Sequence, residues 1–435
     1  MKKQTFIVFC LVMLSFTAGV STQESVKYEI LLTGGHVIDP ANNINQVCDV
    51  AISNGVIARV DDTISPANAK KVVDVSGYIV TPGFLDIHSH CFSTFGNPGR
   101  WVFPDHHSFQ SGVTTFIDAG TSGADSFEDF KKVIDISNTR VLAFLNICAT
   151  GKNDAQNDPR TFKVDRAVEI AKKYPEIIIG FKTCDYWPMG NPYDKLHTPW
   201  ASVDSAIAAG KKAGLPVMSS FHPRPAEGGF PARSLRGLLL EKFRSNDILT
   251  CMFSPHIPIV SEDGTLNRDL ISARKRGILF DATHGTGSML FRSAAPAIKQ
   301  GFIPDTISTD LHGPGRTGSA VDMLNVMNKY LNLGIPVEEV IRCTTINPAH
   351  AINRSDLGTL SVGAVADIAV IDKLTGNFTF VDTGGGKISG DTKLQIVMTL
   401  FGGDIVFDPY GVSSPKWEDI PKKSRYWVTP SGQTW

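Results

Sequence analysis

Asp86-Ile-His-Ser-His90 closes the apolar run Gly77-Tyr-Ile-Val-Thr-Pro-Gly-Phe-Leu-Asp86, and its reading decides the fold. An extended strand shows every second side chain on the same face, so His88 and His90 point together. Two imidazoles placed in this way can grip one metal ion, and the spacing suits zinc. Alone, a His-x-His pair is a weak signal, because short polar alternations arise on many strands. A metal needs more donors, and a barrel of parallel strands would gather them at its C-terminal rim.

The residues that follow supply such a barrel. Apolar strand runs at 113–118, 141–147, 177–182, 215–221, 247–250, 278–281 and 306–310 make eight with the first. Helix-like stretches at 164–174, 202–213, 234–243 and 266–275 lie between several of them. Eight units in roughly 270 residues predict an α/β fold, a (β/α)8 TIM barrel over 82–354, whose usual size is about 250 residues.

The flanks have a different texture. Residues 26–81 read as short strands broken by Gly34-Gly35 and Asn54-Gly55, and residues 355–410 return to strands at 358–360, 366–371, 378–381 and 396–400 before the Gly402-Gly403 turn. Neither flank is long enough to bury a core alone, so the two are expected to join into one small discontinuous β-sandwich. Residues 411–435 read as an irregular surface tail.

With 435 residues, 42% hydrophobic residues and a net charge of -1, no basic patch argues for nucleic acid. Lys2-Lys3, the apolar stretch from Phe6 to Leu14 and Ala18-Gly19-Val20-Ser21 read as a signal peptide over 1–22, too short to cross a bilayer comfortably. The expectation is an exported protein, periplasmic or extracellular, without stable membrane insertion once the leader is removed. Six cysteines beyond the leader are too sparse for a disulfide-stapled scaffold. Cys148 and Cys184 follow the third and fourth strands, which are neighbours in such a barrel, so a bond between them and two separate buried thiols both stand.

Placed on the strands, metal-capable side chains recur at their ends: His88 and His90 on the first, Lys182 on the fourth, His222 on the fifth and Asp310 on the eighth. Independent positions on one rim are a stronger signal than one motif. A protonated Lys182 would repel a metal, and a chance lysine at a strand end is the plain alternative. Buried near cations, however, its amine loses a proton readily, and a neutral amine can take up carbon dioxide to become an anionic, bridging carbamate.

At this point the chain resembles the amidohydrolase superfamily, in its deacetylase and dihydroorotase-like branch. The resemblance is carried by Asp86-Ile-His-Ser-His90, Ile179-Gly-Phe-Lys182, Phe280-Asp-Ala-Thr-His-Gly-Thr-Gly-Ser288, Ile307-Ser-Thr-Asp-Leu-His312 and Ala366-Asp-Ile-Ala-Val370. Lys393-Leu394 and Leu400-Phe-Gly-Gly-Asp-Ile-Val406 extend it into the last strands. It implies two zinc ions, one held by His88, His90 and Asp310, the other by His222 and a sixth-strand histidine, bridged by N6-carboxylated Lys182. Asp247-Ile-Leu-Thr-Cys-Met-Phe253 matches that strand but places Cys251 where the histidine is expected. Three functional readings stand: Cys251 binds the second zinc as thiolate, which is favoured; His256 replaces it; or the enzyme works with one metal. A buried cysteine without a role stands beside them.

The implied chemistry is hydrolysis by a metal-activated water, with Asp310 taking the proton and passing it to the leaving group. The expected substrate is a small acylated compound, an N-acyl amino acid or a cyclic amide. Ester cleavage by the same site and an impaired barrel that only binds are the alternatives. Arg224 is a candidate clamp for a substrate carboxylate, and His284 and His312 are candidates to orient the substrate or Asp310. His106, His107 and His197 read as packing or rim residues. The sequence leaves a homo-oligomer open.

Overall fold

The computed structural model describes residues 27–92, 101–183, 186–188 and 193–420. The signal-peptide segment, Cys184 and residues 421–435 lie outside the described residues, and with Cys184 the pairing with Cys148.

The run that opens the barrel is two strands rather than one. The small domain begins with β1 (Tyr28–Asp39), β2 (Ile44–Ser53), β3 (Val56–Asp61) and β4 (Ala69–Asp74), and β5 (Ile79–Pro82) belongs with them. β6 (Phe84–Ser89) starts the barrel. The break falls at Gly83, whose backbone N–H donates to Asp367 O at 2.9 Å, and where a Cβ would lie 2.3 Å from Thr114 Oγ1. Only a residue without a side chain fits where the chain passes from one sheet to the other.

The barrel continues through β7 (Val113–Gly123), β8 (Arg140–Asn146), β9 (Ile178–Lys182), β10 (Val217–Ser220), β11 (Ile248–Thr250), β12 (Leu279–Thr283) and β13 (Thr306–Ser308). They pair in parallel and in chain order. Backbone bonds from Asp310 N to His88 O and from His90 N to Leu311 O bring the last strand end back to the first. Every residue of β6, β7 and β9 is buried, as expected for parallel strands covered on both faces.

Helices α1 (Phe127–Ile136), α2 (Val164–Lys173), α3 (Ala201–Ala213), α4 (Arg268–Lys275) and α5 (Phe291–Lys299) pack outside. α2 buries Ala167, Val168, Ile170 and Ala171 and turns its lysines outward. The Asn267 side chain caps α4 by accepting from Asp269 N. The stretch expected to be a helix over 234–243 is instead a short π-helix, Gly237–Lys242. After β13 come α6 (Gly313–Thr317), α7 (Met323–Asn332), α8 (Val337–Arg342) and α9 (Ile346–Ala351).

The C-terminal flank contributes β14 (Ile368–Val381), β15 (Lys387–Phe401) and β16 (Asp404–Phe407); residues 358–360, expected as a strand, are irregular. Antiparallel pairing of β5 with β14, Val80 opposite Val370, joins both flanks in one mixed eight-stranded sheet. That sheet encloses its own core, with Leu32, Val50, Ile52, Val370, Met398 and Leu400 among its buried residues, as the small β-sandwich domain. The β14–β15 hairpin is longer than its apolar segments suggest. Its outer part reaches α7, where the Asn328 side chain bonds both backbone groups of Leu394, and its tip accepts Phe291 N on Asp382 Oδ2.

Candidate metal centre and active site

His88 ends β6 on a hydrogen-bond chain that crosses the barrel mouth. The Thr250 hydroxyl donates to Asp281 Oδ2 at 2.7 Å, so toward His88 it accepts, and His88 Nδ1 lies 2.7 Å away. Asp281 also takes the hydroxyls of Thr306 and Ser308, which fixes the chain at its far end. The proton on Nδ1 leaves His88 Nε2 as a lone pair aimed into the site.

His90 is assigned in the same way. Lys152 Nζ, which can only donate, stands 3.2 Å from His90 Nε2, so the ring proton belongs on Nδ1, 2.9 Å from Thr121 Oγ1. Burial first, and Lys152 second, push the His90 pKa down to about 3, so the ring is neutral. Asp310 closes the group from just beyond β13, with Oδ1 3.1 Å from His90 Nε2 and 3.7 Å from His88 Nε2. Burial alone would raise its pKa, and the Lys152 ammonium is among the groups that outweigh this and hold the carboxyl below its ordinary range. Asp310 has φ +47°, and Cys251 has φ +58°. Left-handed backbone at two non-glycine positions is stored strain of the kind found at functional sites.

The ligand atoms of His88, His90 and Asp310 all lie within 4.8 Å of one another. Among the described residues, Asp310 Oδ1 is buried without a hydrogen-bond partner. Apart from the Lys152 ammonium at His90 Nε2, no proton lies among the two imidazole lone pairs and the carboxylate oxygen, and a cation held by all three resolves their mutual repulsion. The donor set therefore fits a metal ion.

The second half of the expected set is adjacent but looser. Lys182, 6% exposed at the end of β9, donates to Ser220 Oγ at 2.7 Å, and that oxygen is 3.6 Å from Cys251 Sγ. Gly120 makes room for this lysine, since a Cβ there would lie 2.7 Å from Lys182 Cβ. His222 and His256 pack ring to ring, centroids 4.2 Å apart. Burial, then Asp310, push the Cys251 thiol up to about 11. Among the described residues, His222, Cys251 and His256 form no second group as tight as the first.

His88, His90, Ser220, His222, Cys251, His256 and Asp310 line one cavity of about 610 Å³, together with Thr121, Lys152, Gln156, Ser288 and His312. His312 stacks near His90, centroids 6.2 Å apart, and its Nδ1 accepts Gly315 N. His284 is fully buried away from the cavity wall, with Nε2 2.6 Å from Lys329 Nζ. It backs the site through its neighbour, because Gly285 lies so close to Asp310 that a Cβ would fall 2.2 Å from Oδ2. Arg224 also lies off this cavity, its guanidinium 5.7 Å from the Trp187 ring. Lys152, Thr121 and Thr250 escaped the sequence reading, for no motif marks residues that meet the histidines only after folding.

Residues 79–406 match the amidohydrolase family. The chain belongs to the amidohydrolase family. With deacetylase, adenine deaminase and dihydroorotase relatives, it is a hydrolase of carbon–nitrogen bonds other than peptide bonds. This amidohydrolase is 28% identical over 383 residues to a deacetylase from Agrobacterium fabrum, covering 85% of this chain and 89% of that one. A dihydroorotase crystal structure superposes with a TM-score of 0.71 at 26% identity, over 87% of this chain and 99% of that one. An adenine deaminase structure superposes with a TM-score of 0.77 at 24% identity, over 88% and 100%, and supports the barrel fold.

Proposed function

We propose that this amidohydrolase is an exported zinc enzyme that cleaves the acyl carbon–nitrogen bond of a small acylated compound, an N-acyl amino acid or a cyclic amide. The observation that carries the reading is the convergence of His88 Nε2, His90 Nε2 and Asp310 Oδ1 on one point of the cavity. These three would hold one ion. Lys182, once carboxylated, would share a second with His222 and with Cys251 or His256. When bound, zinc supplies Lewis-acid polarisation of the acyl carbonyl and lowers the pKa of water.

The chain's own residues do the rest. Thr250 and Thr121 keep both imidazoles in the tautomer that presents Nε2. Asp310, held as a carboxylate, takes the proton from the attacking water as the oxygen–carbon bond forms, then gives it to the leaving nitrogen as the carbon–nitrogen bond breaks. A cavity of about 610 Å³ suits a small molecule rather than a polymer. Among the described residues no helix is long and apolar enough to cross a membrane. Export rests on Lys2-Lys3 and the apolar run after them.

The test is a screen of N-acyl amino acids, cyclic amides and simple esters with zinc-loaded protein, before and after chelation. Zinc-dependent release of an amine supports the reading. Turnover of esters alone, or of nothing while the metal is bound, contradicts it.

A further inference from the structure

Lys152 stands in the loop after β8, where it approaches His90 and Asp310 but takes part in no bond change of the reaction just described. Its place is built rather than incidental. Lys152 N donates to Thr121 O at 3.1 Å, on the residue whose hydroxyl meets His90 Nδ1. The preceding Gly151 has φ +82°, and a Cβ there would lie 2.1 Å from Thr121 O, so the turn that aims Lys152 needs glycine. Its Nζ reaches the floor of the cavity at His90 Nε2.

The charges around the cavity are few. Among the described residues that line it, Lys152 is the one lysine or arginine, and Asp310 the one carboxylate, already engaged with the histidines. Gln156, one short helical turn further, lines the same wall. Arg224 and Arg233 line an adjoining pocket that shares Ser220 and His222 with this cavity, Arg224 with its guanidinium 5.7 Å from the Trp187 ring and Arg233 donating to the carbonyls of His222, Tyr186 and Pro199. A substrate anion entering this cavity meets Lys152, and meets it beside the metal ligands. The anion it holds is therefore close to the bond that breaks.

We propose that Lys152 determines specificity, holding a substrate carboxylate one carbon away from the scissile nitrogen, so that acylated α-amino acids are taken in preference to their neutral amides. The inference rests on the hydrolase reading above and deepens it.

The experiment compares N-acetyl α-amino acids with the matching carboxamides on zinc-loaded wild type, K152M, K152R and R224M, with metal content measured for each. Wild type is expected to prefer the carboxylates. K152M loses about 10- to 100-fold more in kcat/KM on the carboxylates than on the carboxamides, the excess chiefly through KM. K152R recovers part of the preference, and metal content is unchanged throughout. Equal losses on both substrates, or loss of preference in R224M but not K152M, would overturn the proposal. If wild type cleaves neither, the hydrolase reading fails, and calorimetry with the same compounds decides this point alone. Carboxylate binding weakened in K152M supports it, and equal binding to both proteins overturns it.

Discussion

Asp310 Oδ1 and His90 Nε2 stand 3.1 Å apart with no hydrogen bond joining them. Both are acceptors in this arrangement, so each raises the energy of the other unless a cation lies between. The repulsion has a testable consequence at Asp310. D310N removes the negative charge and introduces an amide N–H that can point at His90 Nε2. Metal-free D310N is expected to melt at or above metal-free wild type, while its turnover falls by at least ~10²- to ~10⁴-fold. Thermal melts after chelation and steady-state assays check both halves; retained turnover would remove Asp310 from proton transfer.

Thr250 and Thr121 orient the two imidazoles without touching the metal position. Replacing either hydroxyl frees the ring to rotate or change tautomer. T250V and T121V are each expected to weaken metal affinity by about 10- to 100-fold with little change in fold. T250V carries the larger effect on stability, because it also removes one of the three hydroxyls that hold the buried Asp281 carboxylate. Competition with a zinc chelator reads the affinity, and wild-type affinity in both variants would contradict the assigned tautomers.

The fold was legible to the extent that each strand is an apolar run ending in a polar residue. All eight barrel strands follow from that pattern, as do α2, α3 and α4 from their 3.6-residue periodicity. The change of domain near Gly83 was legible from the texture, but its cause was not, because what splits β5 from β6 is Thr114, distant in sequence, filling the space above the glycine. The length of the β14–β15 hairpin was hidden for a related reason: its outer residues are polar and gain their order from Asn328 on α7. At the site, His88, His90 and Asp310 were readable as donors at strand ends. Their supports, Thr250, Thr121 and Lys152, are ordinary residues in sequence and acquire a role only across the barrel mouth. The positive φ at Asp310 and Cys251 is likewise set by tertiary context, with no glycine to announce it.

The buried pair His284 and Lys329 gives a pH prediction. Burial first, then Lys329, push the His284 pKa down to about 3, and burial pushes Lys329 down to about 7. Unfolded histidine titrates near 6.5. Between these values the unfolded chain binds a proton that the folded chain refuses, so stability is lost as pH falls from about 6.5 toward about 3. Well below pH 7 Lys329 is protonated in both states and adds no slope. His284 is expected to contribute up to about 1.4 kcal/mol of loss per pH unit across that window. Urea unfolding of wild type and H284N between pH 7 and pH 4.5 checks it: the variant should show the shallower decline, and parallel curves would contradict the assignment.

The measurement that bears most directly on the whole account is the transition-metal content of purified protein, determined by mass spectrometry for wild type, H88A/H90A and C251A. The account predicts between about one and about two zinc equivalents per chain in wild type, near-complete loss in folded H88A/H90A, and loss of the second equivalent alone in C251A. Hydrolytically active wild type with no stoichiometric metal, or full occupancy retained in H88A/H90A, would contradict it.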